Sequence, residues 1–147
     1  MPGGVFWNQE GTALVVVVRS DDNKDRWIAR VDPQNGELTP LDRQRDEAWI
    51  SGPGIEWSYG PGDVGWMPDG RFFFQSEKTG YSHLYAVDIR TGGVTALTSG
   101  AFEVFSPRLT RDGAEWLFVS SEGSPHERHA YRVPAEGGQR TRVTTMV

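Results

Sequence analysis

Nucleophilic catalysis by serine needs a local pattern that this sequence lacks. In α/β-hydrolases the nucleophile lies in Gly-x-Ser-x-Gly, where a strained turn between a strand and a helix exposes its hydroxyl. None of the ten serines has glycine at both of those positions, and the chain contains no cysteine that could replace serine. The sequence therefore predicts that this chain is not catalytic by itself.

The histidines do not form a zinc-binding pattern. His126 and His129 are three residues apart and flank Glu127. A metalloprotease helix places its histidines four residues apart, with the glutamate next to the first. Residues 123–125, Gly-Ser-Pro, are typical of a loop, and no third ligand is evident. We interpret the segment as a structural loop and expect no metal; His83, just before a predicted strand, is interpreted as a packing or turn-bonding residue.

Two acidic clusters are candidates for binding a cation or an amine. Residues 21–25 contain three aspartates but lack the glycine and the distal glutamate of a calcium loop, which favours a solvated hairpin tip. Asp46 and Glu47 are adjacent, and neighbouring residues of an extended chain point to opposite faces. The pair could not hold one substrate amine without a bulge, so a structural role is favoured for both clusters.

The composition favours many short elements and excludes several classes of protein. The 147 residues include 18 glycines and nine prolines, which long helices do not tolerate. The net charge is −5, with acidic and basic residues interleaved, so a nucleic-acid partner is not expected. The absence of cysteine excludes disulfides, and no apolar run is long enough to span a membrane.

One pattern recurs three times, over residues 5–50, 63–104 and 105–145. Each copy has a turn with an acidic residue and a glycine, an apolar strand, a second strand with an aromatic residue near its start, and a last strand after a further glycine. Gly70 and Gly113 lie 43 residues apart, and four strands in about 40 to 45 residues is the size of a propeller blade. The sequence predicts an all-β partial β-propeller of about three four-stranded antiparallel blades, without helices.

The strands and turns of the repeats carry further expectations. The apolar runs are continuous, as expected for strands covered on both faces by neighbouring blades. Trp66 and Phe73 are accordingly expected to be buried between blades. The acidic residues of the turns, Glu10, Asp69 and Asp112, are interpreted as turn-forming acceptors for backbone amides.

Residues 51–62 are predicted to form a loop inserted between the first two blades. Two Gly-Pro-Gly bends surround Trp57 and Tyr59 in this segment. Loops on a rigid scaffold often carry binding residues. The segment is therefore the first place to look for a functional site.

The order of several motifs in the second and third repeats is specific. They are Gly65 to Phe72 (Gly-Trp-Met-Pro-Asp-Gly-Arg-Phe), Ser76 to Tyr85 (Ser-Glu-Lys-Thr-Gly-Tyr-Ser-His-Leu-Tyr), Leu97 to Gly100 (Leu-Thr-Ser-Gly), Phe102 to Val104 (Phe-Glu-Val) and Ser121 to Val133. From about Asp46 to Thr145 the chain resembles the propeller domain of the dipeptidyl peptidase IV branch of the prolyl oligopeptidase family. The Pro-Asp-Gly turn by itself is less specific, because TolB-like and WD-type propellers share it.

The resemblance implies a serine exopeptidase or oligopeptidase built from a propeller and a C-terminal α/β-hydrolase domain that carries the catalytic Ser, Asp and His. In this family the propeller restricts access to a buried site, and in dipeptidyl peptidases a glutamate pair on a propeller insertion binds the free amine of the substrate. Neither set can be placed in this chain. The loop after Trp49 occupies the region that contacts the substrate's second position, although residues 52–54 depart from the bulky and basic residues of the best-known members. Glu56, Trp57 and Tyr59 are the candidate substrate-binding residues.

Two interpretations of function are therefore open. In the first, the chain is a truncated part of a peptidase propeller that restricts and orients peptide substrates for a separate hydrolase domain. Its partners would be the peptide substrate, the missing blades, the hydrolase domain and, through open blade edges, further copies of itself. The alternative is a TolB-like propeller module that binds proteins and has no peptidase. Neither needs a cofactor or a membrane; a cytoplasmic location is expected, with periplasmic or secreted locations left open.

Overall fold

The computed structural model describes residues 2–55 and 60–145 of the chain. These residues contain twelve β-strands joined by turns and loops. They form three four-stranded antiparallel sheets, here sheet 1 (β1 to β4), sheet 2 (β5 to β8) and sheet 3 (β9 to β12). These described residues form no helix, and so none long and apolar enough to cross a bilayer. The predicted all-β class with three four-stranded units is confirmed. The strands are β1 Pro2–Trp7, β2 Leu14–Arg19, β3 Asp25–Val31, β4 Leu38–Arg45, β5 Gly65–Trp66, β6 Phe72–Ser76, β7 His83–Val87, β8 Val94–Ala96, β9 Val104–Leu109, β10 Glu115–Ser120, β11 His129–Pro134 and β12 Thr141–Arg142.

Each sheet is a meander, because consecutive strands are joined by short turns. The turn between the first two strands holds Gly11, Gly70 or Gly113, with φ of 67°, 86° and 73°. Glycine adopts this left-handed conformation without a steric cost. Asp69 and Asp112 each accept a hydrogen bond from the backbone amide two residues further on, as predicted for turn-forming carboxylates.

The turn of sheet 1 uses a different acceptor. Asn8 Oδ1 lies 2.8 Å from the amide nitrogen of Thr12 and 2.9 Å from that of Ala13. The expectation that Glu10 plays this part is therefore wrong. A short asparagine amide bonds readily to nearby backbone, which explains why it replaces the acidic residue here.

Sheets 1 and 2 pack face to face through an apolar cluster. The ring of Phe72 is fully buried there and meets the rings of Phe6 and Trp66 edge-on, at centroid separations of 5.6 and 5.4 Å. The buried members are Val15, Val17 and Ile28 from sheet 1, and Phe72, Phe74, Tyr85 and Val87 from sheet 2.

The opposite face of sheet 2 packs on sheet 3. Phe73 contacts the fully buried Trp116 edge-on at 4.8 Å. Trp66 and Phe73 are only partly buried, however, contrary to expectation. Trp66 lies on the two-residue edge strand β5, and the cross-strand neighbour of Phe73 is Gly65, which offers no side chain to cover it. The buried residues of this second cluster are Met67, Leu84, Ala86, Leu97, Phe102, Val104, Trp116, Phe118, Tyr131 and Val133.

Only the middle sheet is covered on both faces. All five residues of β7 are buried, as the continuous apolar pattern predicted. In β10, by contrast, Leu117 is 43% exposed between two buried aromatic residues. The outer face of sheet 1 likewise leaves Val5, Trp7 and Leu38 exposed by 59%, 49% and 56%. The two terminal sheets have one neighbour each, and this explains the alternation that the sequence did not predict.

Truncation of Phe72 tests the packing of sheets 1 and 2. Because the ring is fully buried between them, Phe72→Ala is expected to lower the free energy of unfolding by about 3 to 5 kcal/mol. Leu117→Ala, on the open face of sheet 3, is the control and should cost less than about 1 kcal/mol. Urea denaturation measures both values. Equal losses in the two variants would mean that the sheets do not pack as described.

Candidate functional site

The inserted loop lies between β4, the last strand of sheet 1, and β5, the first strand of sheet 2. The structure describes it on both sides, residues 51–55 and 60–62, whereas the candidate residues Glu56, Trp57 and Tyr59 lie outside the described residues. The described flanks, which we call the neck, define where the loop starts and ends.

The two sides of the neck are in direct contact. The amide of Asp63 donates to the carbonyl of Gly54 at 2.8 Å, and the amide of Ile55 donates to the carbonyl of Gly52 at 3.1 Å. A β-carbon at Gly62 would lie 2.2 Å from the carbonyl oxygen of Gly54, so only glycine permits this approach. The ends of the loop are thereby held close together, as in a compact Ω-loop.

Two buried arginines of sheet 1 bind the neck. Arg19 donates from Nη2 to the carbonyl of Ile55, and Arg26 donates from Nη2 to the carbonyl of Pro61 at 2.7 Å. Arg26 also donates from Nη1 to the carbonyl of Gln75 in sheet 2, at 2.9 Å. The two arginines therefore bind both sides of the neck. Arg19 binds the side that precedes the undescribed segment, and Arg26 binds the side that follows it.

Arg26 is a cation with no exposed surface. Burial, together with the nearby positive charge of Arg19, lowers the pKa of its guanidinium to about 9. The side chain is therefore still charged at neutral pH, and backbone carbonyls supply the acceptors that water would supply at a surface. Its Nε has no hydrogen-bond partner among the described residues.

Sheet 2 also holds the neck, on the side of residues 51–55. Ser82 donates from Oγ to the carbonyl of Pro53 at 2.6 Å, and Gln75 Nε2 donates to Ser82 Oγ at 3.2 Å and to the carbonyl of Val104 at 2.8 Å. Gln75 Oε1 lies so close to Gly54 that a β-carbon there would be 1.7 Å away. The neck is thus packed directly on the buried end of β6.

A small cavity opens at the neck. Its volume is about 260 Å³, and Gly54, Gly60, Pro61, Gly62 and Asp63 line it. Asp63 pairs with the exposed Arg108 of sheet 3, with Nη1 3.2 Å from Oδ1. The cavity therefore offers mainly backbone groups and one carboxylate.

Carboxylates surround the start of the loop. Burial, followed by the negative charges of Glu103 and Asp46, raises the pKa of Glu77, whose carboxylate also accepts a hydrogen bond from the backbone of Ser51. Glu103 Oε2 accepts the amide of Ser82 at 2.6 Å. Glu77 and Glu103 thus each accept a backbone hydrogen bond, and this structural role accounts for their partial burial.

The paired acidic residues after β4 act separately, as expected. Asp46 Oδ1 accepts the amides of Ala48 and Trp49 at 2.7 and 3.2 Å. Glu47 pairs with Arg45, its side chain 80% exposed. The two carboxylates are thus not directed to one ligand.

The remaining candidates from the sequence have structural partners. Asp25 starts β3 and pairs with Arg43 and Arg45 at 2.7 and 2.6 Å, rather than facing solvent at a hairpin tip. His83 Nδ1 lies 3.1 Å from Thr98 Oγ1, and its Nε2 is 2.9 Å from the carbonyl of Gly100. This agrees with the expected packing and bonding role.

The histidine pair of sheet 3 is split between a loop and a strand. His126 is exposed in the loop, as interpreted, whereas His129 begins β11 and is buried. His129 Nε2 lies 3.1 Å from Glu127 Oε2. Within residues 2–55 and 60–145, no group of three or more His, Asp or Glu side chains could hold a metal ion.

The residues that build the neck were not identified from the sequence. Arg19, Arg26 and Gln75 directly flank the runs that were interpreted as apolar strands and were given no role. A signal was nevertheless available: when the three repeats are superposed, the positions of Arg19 and Arg26 hold serine and histidine in the other two copies. An arginine at a position that holds serine or histidine in the sister repeats indicates a specific contact.

Three consecutive four-stranded antiparallel sheets, packed face to face, define a run of β-propeller blades. The family model of the dipeptidyl peptidase IV N-terminal region matches residues 3–146. The chain belongs to this family.

A relative and several solved structures agree with this assignment. The "probable dipeptidyl-aminopeptidase B" of Aspergillus clavatus is 30% identical over 149 aligned residues, which cover 95% of this chain but 16% of that protein. Dipeptidyl peptidase 4 of Porphyromonas gingivalis superposes with a TM-score of 0.77 at 20% identity, over 97% of this chain and 19% of that one. A TolB-like protein from Agrobacterium tumefaciens gives 0.63 at 19% identity, over 97% of this chain and 49% of that one. The structural likenesses show the fold, and the chain spans about a sixth of the length of the fungal relative.

Substitution of the neck glycines tests the close approach of its two sides. Gly54 and Gly62 have φ of +69° and +83°, and a β-carbon at either would meet Gln75 Oε1 or the Gly54 carbonyl. Gly54→Ala and Gly62→Ala are each expected to cost about 1 to 3 kcal/mol. Gly60→Ala is the matched control, since nothing lies within 4 Å of a β-carbon there. Thermal or urea unfolding would contradict the neck geometry if all three variants were equally stable.

The raised pKa of Glu77 predicts a pH dependence of stability. A carboxyl whose pKa is raised in the folded state above its ordinary value of 4.5 binds its proton more tightly in the fold, so stability falls as pH rises through the folded pKa. Glu77→Gln is therefore expected to raise the free energy of unfolding at pH 7, with the gain disappearing near about pH 4, where the carboxyl is protonated in both states. Glu10→Gln, at a remote exposed turn, is the control and should show no such gain. Urea unfolding at both pH values decides the matter, and an unchanged or lower stability of Glu77→Gln at pH 7 would contradict it.

Proposed function

We propose that this chain is part of the non-catalytic β-propeller domain of a serine peptidase related to prolyl oligopeptidase and dipeptidyl peptidase IV. In that role it restricts and orients peptide substrates for a separate α/β-hydrolase domain. The observation that carries the proposal is the family match over residues 3–146. The names of the relatives, a dipeptidyl-aminopeptidase and a dipeptidyl peptidase, support peptides as the substrate class.

The substrate contacts are proposed to come from the inserted loop, through Glu56, Trp57 and Tyr59. A carboxylate can pair with a substrate amine, and aromatic side chains supply large apolar contact area. The fixed neck supports this assignment, because both ends of the segment are tied to buried residues of sheets 1 and 2. A scaffold of this kind limits the entropy lost when the loop meets a substrate.

The open faces of sheets 1 and 3 fit the same proposal. The exposed Trp7 and Leu38 on one side and Leu117 on the other are the surfaces that further blades of the complete domain would cover. In the isolated chain these faces and the unpaired strand edges would favour association with further copies.

A TolB-like module that binds another protein is the second candidate. It is favoured by the superposition on the Agrobacterium tumefaciens protein, with a TM-score of 0.63 over 97% of this chain. The coding sequence beyond these codons separates the two candidates. A downstream Gly-x-Ser-x-Gly supports the peptidase, whereas a frame without a hydrolase domain, together with a stable protein complex in pull-down experiments, supports the binding module.

The peptidase proposal predicts a division of labour that kinetics can measure. The chain by itself should not hydrolyse chromogenic Xaa-Pro substrates, and turnover that survives repurification would contradict this. In the enzyme encoded by the complete reading frame, Trp57→Ala and Tyr59→Ala should raise KM about tenfold with little change in kcat, the pattern for lost ground-state binding. Trp49→Ala is the matched control, because that tryptophan is 64% exposed outside the loop. Equal effects of all three substitutions would refute the assignment of the loop.

A further inference from the structure

Sheet 1 departs from the other two sheets at one register position. Where the second strand ends and the third begins, each sheet has a buried cross-strand pair of polar residues. The pairs are Ser76 with His83 in sheet 2, Ser120 with His129 in sheet 3, and Arg19 with Arg26 in sheet 1. Sheets 2 and 3 thus share a serine–histidine pair at this position, whereas sheet 1 has two arginines there.

In sheets 2 and 3 the histidine binds a threonine of its own repeat. His83 Nδ1 lies 3.1 Å from Thr98 Oγ1, and His129 Nδ1 lies 3.3 Å from Thr144 Oγ1. Each threonine also accepts the backbone amide that follows the histidine, at 3.0 and 3.1 Å. This arrangement braces the last strand against the third strand of the same sheet.

In sheet 1 the corresponding residues keep bonds inside the sheet, from Arg26 Nη1 to Gln44 Oε1 at 3.5 Å and from Arg19 Nη1 to Asn23 Oδ1 at 3.0 Å, but they also bond outside it. Gln44, which is paired in register with Arg26, donates from Nε2 to the carbonyl of Gln75 in sheet 2 at 3.3 Å. Arg26 donates to the same carbonyl and to that of Pro61, and Arg19 donates to that of Ile55. The polar set at this position therefore makes contacts with sheet 2 and with both sides of the neck in addition to those within sheet 1.

The change coincides with the insertion in the chain. Sheet 1 is followed by the inserted loop of residues 51–62, whereas sheets 2 and 3 are joined by a connection of seven residues, 97–103. We infer that Arg19 and Arg26 are positioning residues that fix the neck of the inserted loop to the blades, and that Gln44 supports Arg26 by bonding to the same carbonyl of Gln75. Any consequence of this anchoring for peptide selection rests on the function proposed above, whereas the anchoring itself does not.

Replacing Arg19, Arg26 and Gln44 with the residue types of the other two repeats tests this anchoring. The variant R19S/R26H/Q44T gives sheet 1 the serine, histidine and threonine that sheets 2 and 3 already accommodate at this register, so the sheet is expected to fold. Two neck amides report on this anchoring: that of Asp63, which bonds across the neck to the carbonyl of Gly54, and that of Ile55, which bonds within one side to the carbonyl of Gly52. Their hydrogen exchange should accelerate about tenfold or more, because charge-assisted bonds to the neck are lost. The β2 to β3 ladder amides should change much less. Unchanged neck exchange in the folded variant would overturn the inference.

Two single variants keep the test decisive if the triple variant does not fold. R26K keeps the charge but has one nitrogen where Arg26 uses two for different carbonyls, so neck exchange should rise without reaching the triple variant's level. R30M is the matched control: Arg30 lies on the same strand and donates to the carbonyl of Ile89 in sheet 2 at 3.3 Å, away from the loop. Neck exchange should be unaffected in R30M. Equal acceleration in R26K and R30M, or none in R26K, overturns the inference.

The same variants separate the anchoring from the proposed function. In the complete enzyme, a loosened neck with a raised KM for peptides supports both. A loosened neck with unchanged kinetics supports the anchoring and refutes a substrate role for the loop.

Discussion

The backbone and side chain of Gln75 join all three sheets, and much of the structure depends on this residue. Its carbonyl accepts donors from Arg26 and Gln44 of sheet 1, and its Nε2 donates to the carbonyl of Val104 in sheet 3. The residue has no exposed surface. Because hydrogen bonds in a dry interior are strong and costly to leave unmade, the three sheets cannot rotate against one another without breaking several of them at once. Apolar packing sets the spacing of the blades, and this polar junction sets their register.

The apolar clusters on either side of sheet 2 obey a second constraint, which follows from stacking. A sheet in a propeller is buried only where a neighbouring blade covers it, so burial reports position in the stack. The middle sheet has Phe72 and Phe74 on one face and Leu84 and Ala86 on the other, all of them buried. The terminal sheets each present one face to solvent. Repeat proteins generally derive their stability from such neighbour contacts, and this explains why similar strand sequences have different burial in this chain.

Much of the fold could be predicted from the sequence, because its signals are local. Glycines such as Gly70 and Gly113 mark the turns, and their spacing gives the size of a blade. The identity of the buried aromatic residues was less accurate: Trp66 and Phe73 are only partly covered, since their environment depends on the short strand β5 and on Gly65 beside it. The anchoring of the loop could not be predicted from local pattern at all, because Arg19 meets Ile55 and Arg26 meets Pro61, each more than 30 residues away along the chain.

The placement of buried charge shows why an anchor built from arginine suits an inserted loop. Apolar contacts at the neck would tolerate sliding, since dispersion and the hydrophobic effect have little directional preference. A guanidinium directs its donors in fixed geometry, and Arg26 uses two nitrogens on carbonyls from two different segments. Moving the neck by even one residue would remove the Pro61 carbonyl from Arg26 Nη2 and leave a buried charged donor without an acceptor, at a cost of about 1 to 3 kcal/mol. The two sides of the neck are therefore tied to a single register relative to sheets 1 and 2.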